Sequence, residues 1–193
     1  MLYGAEYRVS DFDIGKAEYL DEKGEKKDRY FMNIASCGIS AEICERVEQS
    51  WLSGSWNYWL QTVIQNCLSA SNNSIKMILD ETKEINLNAY LVAVGNGKYF
   101  GGGMKVCPNA SLQDGLFHVT VMENVRLHHL IQLAYNIKFG SHINLDYVHV
   151  FSCKSLRLES DCKVNFEIDG EVVGSCPVVF SVQPKRVKMA SFL

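Results

Sequence analysis

The sequence lacks the features typical of membrane-spanning, secreted and nucleic-acid-binding proteins. Its longest helical apolar segments fall well short of the roughly 20 residues that cross a bilayer. The N-terminal residues do not contain the basic stretch followed by an apolar stretch that a secretory signal requires. With 19 Lys and Arg against 22 Asp and Glu, the chain also lacks the basic excess of nucleic-acid-binding proteins. We therefore predict a cytoplasmic protein with no nucleic-acid partner.

Several motifs that would identify an enzyme class are also missing. There is no Cys-x-x-Cys pair among the cysteines, no Gly-x-Ser-x-Gly nucleophile motif, and no histidine spacing that suits a metal. The odd number of cysteines, their wide spacing and their apolar neighbours predict reduced and largely buried thiols. The seven are Cys37, Cys44, Cys67, Cys107, Cys153, Cys162 and Cys176. Zinc, dithiol-redox and serine-hydrolase chemistry are therefore disfavoured.

Strand-like segments dominate the 193 residues, a length that suits one domain with a sizeable core. Alternation of apolar and polar residues predicts strands with one buried face, as in 163–168, where every second residue is apolar. The predicted strands are 17–20, 29–35, 74–79, 85–94, 116–122, 155–159, 164–168, 178–182 and 186–190. We expect a mainly β fold, a two-sheet β-sandwich with helices inserted between strands.

Three segments have helical rather than strand periodicity. They are 41–50, 55–70 and 126–139, and Gly140 is placed to end the third helix. In the second segment, Trp56 and Trp59 belong to an apolar stripe that begins after the potential N-cap Ser55. The stripe could contact an apolar ligand, but its spacing favours packing against the core.

A glycine-rich run is the most informative segment of the chain. Five glycines fall within nine residues, directly after the apolar run 89–94. Such a density indicates positive φ angles or close backbone approach, because glycine otherwise costs conformational entropy. The run matches neither a P-loop nor a dinucleotide-binding fingerprint, since no helical period follows it. A wide bulge or hairpin is the simpler interpretation, and a binding site is the alternative.

Two acidic turns follow the glycine run. Asp114-Gly115 precedes a predicted strand, and Asp169-Gly170-Glu171 lies between two predicted strands. Aspartate-glycine steps are common in hairpin turns, so both could be purely structural. Alternatively, the Asp114 carboxylate and neighbouring carbonyls could bind Mg²⁺, and Glu171 could accept a proton during phosphoryl transfer.

The order of these motifs closely resembles the C-terminal domain of the soluble bacterial-type diacylglycerol kinases, a lipid-kinase family related to sphingosine and ceramide kinases. The resemblance rests on 94–104, 107–110, 114–117 and 169–171, with upstream matches at 13–16 and 30–38. It covers nearly the whole chain, from about residue 11 to residue 190.

The resemblance implies a role for each matching position. Glu171 would be the catalytic base. Asp114 would hold a structural Mg²⁺ together with the backbone carbonyls of Ser111 and Leu116. Asp13 would join the carboxylate–water network that organises the catalytic Mg²⁺. The other positions expected at the cofactor cleft are Gly97, Gly101, Gly102 and Asp169.

The family's nucleotide-binding half carries a Gly-Gly-Asp-Gly-Thr segment, and this sequence contains none. We therefore expect 1–193 to be the β-rich substrate-side domain, which would work with an N-terminal ATP-binding domain of the same protein and be inactive alone. Its substrate would be a diacylglycerol-like lipid met at the membrane surface. A non-catalytic lipid-binding module and a relative acting on a sphingoid base or NAD are the alternatives. The sequence leaves open whether the chain forms a homo-oligomer.

Overall fold

The computed structural model describes residues 7–48, 64–66, 68–69 and 71–192. The strands of these ranges are β1 (Tyr7–Leu20), β2 (Lys26–Phe31), β3 (Ile34–Gly38), β4 (Asn73–Leu79), β5 (Lys83–Gly95), β6 (Phe117–Glu123), β7 (Val148–Cys153), β8 (Ser155–Glu159), β9 (Asn165–Ile168), β10 (Glu171–Ser175) and β11 (Val178–Phe192). The α-helices are α1 (Ile39–Glu48) and α2 (His129–Phe139), and a short 3₁₀ helix (Ser141–Asn144) follows α2. Residues 64–66 and 68–69 are also helical.

Hydrogen bonds join all these strands into one antiparallel sheet that curls over an inner core. The main path runs β10-β9-β3-β5-β4-β8-β11-β1-β2, and β6 pairs with both β5 and β7. Strand β5 changes partners along its length: its first half pairs with β4, and its second half pairs with β3 and β6. The mainly β prediction is confirmed, and the sandwich-like form arises from this one curled sheet.

Two hydrophobic cores lie on opposite faces of β5. Val92 and Val94 belong to the inner core, whereas Leu91 and Ala93 belong to an outer core formed with α1 and α2. Because successive residues of a strand point to opposite faces, a strand covered on both sides reads as a continuous apolar run. The unbroken apolar stretch of β5 is explained by this double burial.

The predicted strands are mostly present, but some boundaries were wrong. The segment 29–35 is two strands, because Met32 and Asn33 donate their N–H groups to the Asp169 carboxylate rather than to a strand. Segments 178–182 and 186–190 are one strand, β11, which continues through a positive φ at Lys185. Strands β7, β10 and the first ten residues of β1 were missed, because their polar residues weaken the alternation.

The helix predictions can be compared in the same ranges. The first predicted helix, 41–50, begins two residues earlier, at Ile39. The third, 126–139, begins only at His129 and ends as predicted at Gly140, whose φ is 78° and whose N–H bonds the Asn136 carbonyl. Most of the second predicted helix, including Trp56 and Trp59, lies outside the described residues. No disulfide joins the six cysteines that the structure describes.

Candidate active site

The turn between β9 and β10 is fixed by one carboxylate. Asp169 and Gly170 have φ values of 48° and 92°, which suit a two-residue hairpin turn and favour aspartate and glycine at these positions. Asp169 Oδ2 accepts the Met32 N–H at 2.9 Å, and Oδ1 accepts those of Asn33 (3.1 Å) and Ile34 (3.0 Å). Asp169 thus accepts three backbone N–H groups at the junction between β2 and β3. The β9–β10 turn cannot shift without breaking these hydrogen bonds.

Glu171 is the first residue of β10 and lies at the surface. Its side chain is 64% exposed and forms an ion pair through Oε2 with the Arg29 guanidinium on β2. Arg29 was not predicted as a site residue, because it lies 142 positions before Glu171 in the chain. The arrangement leaves the Glu171 carboxylate accessible to a ligand and holds it close to a cation.

Glu167 is a buried acid that the sequence pattern placed on the wrong face. Alternation predicted an exposed side chain, whereas Glu167 is 1% exposed, since helix α1 covers this face of β9. Oε2 accepts the Gly170 N–H at 2.8 Å, and Oε1 bonds the Ser36 hydroxyl, which is 2.6 Å from the Ser40 hydroxyl. Burial raises the pKa of Glu167 to about 7. The polar partner Ser36, directly opposite on β3, is the signal that could have revealed this burial.

Asp13 connects three separate parts of the chain. It lies at an irregularity in the β1–β11 pairing and is 2% exposed. Its Oδ1 accepts the Lys185 N–H at 2.7 Å, and its Oδ2 accepts the Gly115 N–H at 2.8 Å. Its own N–H bonds the Leu112 carbonyl at 2.7 Å. Asp13 therefore holds the loop that carries Asp114 through its bonds to Leu112 and Gly115.

The Asp114 loop contains oxygen atoms of the kind that hard cations prefer as ligands. Asp114 Oδ1 accepts the Leu116 N–H at 3.1 Å, and Oδ2 lies 2.9 Å from His118 Nε2. Two carboxylate oxygens offer about four acceptor sites, so the side chain retains capacity for a metal. In the described ranges no cluster of three or more His, Cys, Asp or Glu side chains occurs, so the predicted carbonyls of Ser111 and Leu116, with water, would complete the coordination.

The glycine run is largely explained by backbone geometry. Phe100 and Met104 pair as an isolated bridge around Gly101, Gly102 and Gly103, whose φ values are 55°, 80° and 94°. Three consecutive left-handed residues would strain any side chain, so this loop requires glycine.

Gly97 is needed for a different reason, because a Cβ there would lie 2.1 Å from Asn33 Oδ1. The close approach brings the Gly97 N–H to the Asn33 carbonyl at 2.7 Å. Asn33 in turn contacts Asp169, so the glycine run and the acidic turn meet through one residue.

Two cavities meet beside these groups. The first has a volume of about 350 Å³, and most of its wall is apolar. We call it the polar cleft after the polar groups at the β9–β10 turn that form the rest of the wall, namely Asn33, Glu167, Asp169 and Gly170. The second, which we call the apolar cavity, has a volume of about 390 Å³ and lies between α1, α2, the 64–69 segment and the outer face of the sheet. The side chains that line both are Ser40, Ile43, Phe100 and Met104. Both volumes are in the range of small-molecule sites.

The structure brings most of the predicted positions to one edge of the sheet, which we call the polar edge. Asn96 links two of them, since its side-chain amide donates to the carbonyls of Asp13 (3.0 Å) and Met32 (2.6 Å). Asn33 links Gly97 to Asp169, and Asp13 holds the Asp114 loop. Glu171 belongs to the polar edge because it directly follows the Asp169-Gly170 turn. Four further residues of the polar edge were not predicted from the sequence: Arg29, Asn33, Asn96 and Glu167.

Strands that end at one edge around an acidic turn, with an apolar cavity beside it, define a β domain with a candidate ligand site. The chain belongs to the family described as the YegS C-terminal NAD kinase beta sandwich-like domain, whose model matches residues 33–191. The lipid-kinase resemblance drawn from the motifs is thereby confirmed.

The curated relatives that match this chain are longer proteins. A diacylglycerol kinase of Mycobacterium tuberculosis is 26% identical over 178 residues, which cover 92% of this chain and 56% of the relative. A diacylglycerol kinase of Bacillus subtilis is 25% identical over 160 residues, covering 81% of this chain and 52% of the relative. The chain therefore spans a little over half the length of these kinases.

Solved structures show the same fold. The structure of a diacylglycerol kinase from Bacillus anthracis aligns with a TM-score of 0.59 at 17% identity, over 94% of this chain and 54% of that one. A second structure from the same organism aligns with a TM-score of 0.70 at 19% identity, over 94% of this chain and 56% of that one. Yeast NADH kinase complexed with NADH aligns with a TM-score of 0.51 at 10% identity, over 97% of this chain and 44% of that one.

Proposed function

We propose that this chain is the substrate-side domain of an ATP-dependent kinase that phosphorylates the hydroxyl of a diacylglycerol-like lipid. One observation carries the proposal: the apolar cavity lies beside the polar cleft and shares wall residues with it, including Ser40 and Phe100. An amphiphile needs this combination, with an apolar site for its chains and polar groups for its head. The cavity's lining is almost wholly hydrocarbon, which favours a lipid over the dinucleotide of the NADH kinase relative.

The residues of the polar edge have distinct roles in this proposal. Glu171, exposed beside the cleft turn, accepts the proton of the lipid hydroxyl as the phosphoryl group is transferred. Arg29 orients the Glu171 carboxylate through their ion pair. Asp169 and Glu167 hold the turn that positions Glu171, the first through Met32–Ile34 and the second through Gly170.

In this proposal ATP is bound by an upstream domain, consistent with the greater length of the matched kinases. Gly101 and Gly102 leave backbone accessible to a nucleotide phosphate, and the buried Gly97 supports the run by packing against Asn33. Asp114, with the carbonyls of Ser111 and Leu116, would hold Mg²⁺, whose charge would keep this loop ordered. Asp13 anchors the loop through the Gly115 N–H and the Leu112 carbonyl. The protein would act in the cytoplasm and at the membrane surface.

The test uses this chain joined to a nucleotide-binding upstream half, assayed with ATP, Mg²⁺ and diacylglycerol in mixed micelles. We expect activity from the joined protein and none from the 193-residue chain alone. Glu171→Gln should lower kcat by at least about 10²-fold, the loss expected for a general base. The control Glu25→Gln removes an exposed carboxylate of the β1–β2 turn and should leave kcat unchanged. Normal turnover by Glu171→Gln would rule out its role as the base.

A further inference from the structure

Helix α2 has a stripe of exposed apolar side chains on its outer face. Leu127, just before the helix, is 63% exposed, and Ile131, Tyr135 and Phe139 are 82%, 71% and 61% exposed. These residues are spaced four apart, so they follow one side of the helix. The opposite side is apolar too, since Leu133 and Ile137 are buried in the outer core. A helix that is apolar on both sides needs a second apolar environment outside the domain.

The stripe is continuous with a neighbouring segment. Ile64 and Leu68, also four residues apart, are 51% and 60% exposed. We call these six side chains, Ile64, Leu68, Leu127, Ile131, Tyr135 and Phe139, the apolar patch. Across the described ranges seven large hydrophobic side chains are more than half exposed, and six of them belong to this patch, Val9 being the other. Exposed apolar surface is therefore concentrated at one place rather than scattered.

Three residues of the apolar patch also line the apolar cavity. Ile64, Leu68 and Ile131 contribute to its wall and are each more than half exposed. A hydrocarbon chain could therefore pass from outside to inside without crossing polar surface. This continuity connects the apolar patch to the substrate site of the proposed function.

The charges within the 124–145 segment are of one sign, whereas the acids that flank it in sequence, Glu123 and Asp146, line a separate pocket with His129 and Gln132. Between Glu123 and Asp146 the chain contains no carboxylate, although 22 Asp and Glu occur in the sequence as a whole. Arg126 and Lys138, at the two ends of the stripe, are exposed and form no ion pair within the part of the chain that the structure describes. An apolar stripe flanked by cations and free of acids complements an anionic lipid surface.

A second copy of the chain fits this surface less well. A two-fold contact through α2 would bring the same segment of both copies together. Arg126 and Lys138 would then face a segment without a single carboxylate, so their charges would lack partners on the other copy. Like charges brought together in this way destabilise an interface.

We propose that the apolar patch is a docking surface for an anionic lipid bilayer, with α2 lying in the interface and the apolar cavity facing the acyl chains. The 11-residue helix is about 16 Å long, enough to lie in the interface but too short to cross it. In the described residues no helix is long and apolar enough to cross a membrane. The inference rests on the proposed function for its purpose, but docking itself requires neither ATP nor catalysis.

Co-sedimentation of the 193-residue chain with vesicles tests the proposal. We expect binding to vesicles that contain phosphatidylglycerol, weaker binding to pure phosphatidylcholine, and a loss of affinity with added salt. The double variant Ile131→Glu/Tyr135→Glu should bind at least about tenfold more weakly, since it replaces two exposed apolar anchors with charges. Arg126→Gln/Lys138→Gln should weaken binding only to the anionic vesicles.

The matched control is Val9→Glu, which places the same charge at the exposed apolar side chain outside the apolar patch. It should bind like the parent chain, and thermal melts should show that all variants fold. The proposal is overturned if the parent chain ignores anionic vesicles or if the double variant binds them equally well. It is also overturned if the double variant instead splits a dimer, or if an attached upstream half abolishes vesicle binding by covering the apolar patch. A kinase test that fails at Glu171 would leave the vesicle result standing, so the two proposals can fail separately.

Discussion

The polar edge and the apolar flank, the latter formed by α2 and the apolar cavity, use opposite chemistry within one β domain. At the polar edge, the carboxylates of buried Asp13 and of Asp169 accept backbone N–H groups from distant segments, and buried Glu167 accepts the Gly170 N–H within its own turn. At the flank, side chains of α2 are apolar on the inside and on the outside. The first arrangement fixes backbone positions to within hydrogen-bond geometry, whereas the second leaves room for a chain of variable shape.

In the proposed function, this difference lets one domain serve both ends of an amphiphilic substrate. Phosphoryl transfer needs a rigidly placed acceptor, and directional hydrogen bonds provide that rigidity. Acyl chains need surface without directional demands, and hydrocarbon side chains provide it. Variants at the two regions should therefore differ in how much they lower the free energy of unfolding.

Removing the Asp13 carboxylate should cause the largest loss of stability. Asp13→Ala leaves the N–H groups of Gly115 and Lys185 without their acceptor, so we expect unfolding to become easier by more than about 3 kcal/mol. Asp13→Asn keeps one acceptor oxygen and should fall between this variant and the parent. Urea denaturation at pH 7 measures both, and an unchanged midpoint for Asp13→Ala would contradict its role in holding the Asp114 loop.

Glu167→Gln should stabilise the protein at high pH. The pKa of Glu167 is raised to about 7 in the folded state from an ordinary value of 4.5, so the folded protein binds more protons between these values. Stability therefore falls as pH rises from 4.5 to 7, and the full cost remains above pH 7. Glutamine can donate to Ser36 and accept from Gly170 without a charge, and we expect a gain of about 2 to 3 kcal/mol at pH 8.

The same comparison at pH 4.5 should show a much smaller difference between Glu167→Gln and the parent, because the acid is then almost fully protonated in the folded state and about half protonated in the unfolded state. Glu171→Gln, which removes a mostly exposed carboxylate, is the matched control. Urea denaturation across this pH range measures the effect. An equal gain at both pH values would show that charge burial is not the cause.

Two residues of α2 should differ sharply in their contribution to stability. Leu133 is 8% exposed, and Leu133→Ala should destabilise the fold by about 2 kcal/mol. Ile131 is 82% exposed, and Ile131→Ala should change stability by no more than about 0.5 kcal/mol. Thermal denaturation measures both, and a large loss at Ile131 would mean that the outer face of α2 is packed against protein rather than free.

Magnesium should have the smallest effect, through the Asp114 loop. At a concentration a few times its dissociation constant, Mg²⁺ should stabilise the chain by about 1 kcal/mol. Asp114→Asn should abolish the shift, and His118→Ala should strengthen it by removing a competing partner. Asp161→Asn, an exposed acid elsewhere, should behave like the parent in melting experiments with and without Mg²⁺. A shift that survives in Asp114→Asn would place the cation somewhere else.

Local patterns predicted those parts of the fold whose environment is reflected in neighbouring residues. The apolar run of β5, the Gly140 end of α2 and the tight turn at Asp169-Gly170 could all be read from short segments. Glu167 could not, because its burial depends on α1 covering a face that alternation assigns to solvent. Arg29 beside Glu171 was missed for the same reason, since the pair depends on strands far apart in sequence.

By itself, the sequence determined the β class, the turn residues and the motif order that indicates a lipid kinase, because these depend on side-chain periodicity, backbone conformation and chemical identity. Only the tertiary structure decided that Asp13 and Asp169 anchor backbone, that Glu167 is buried, and that two cavities meet at Ser40. It also decided that apolar residues of α2 face outwards as well as inwards. The physical reason is that burial and hydrogen-bond partners are properties of packed elements, and packing joins segments that the linear sequence keeps apart.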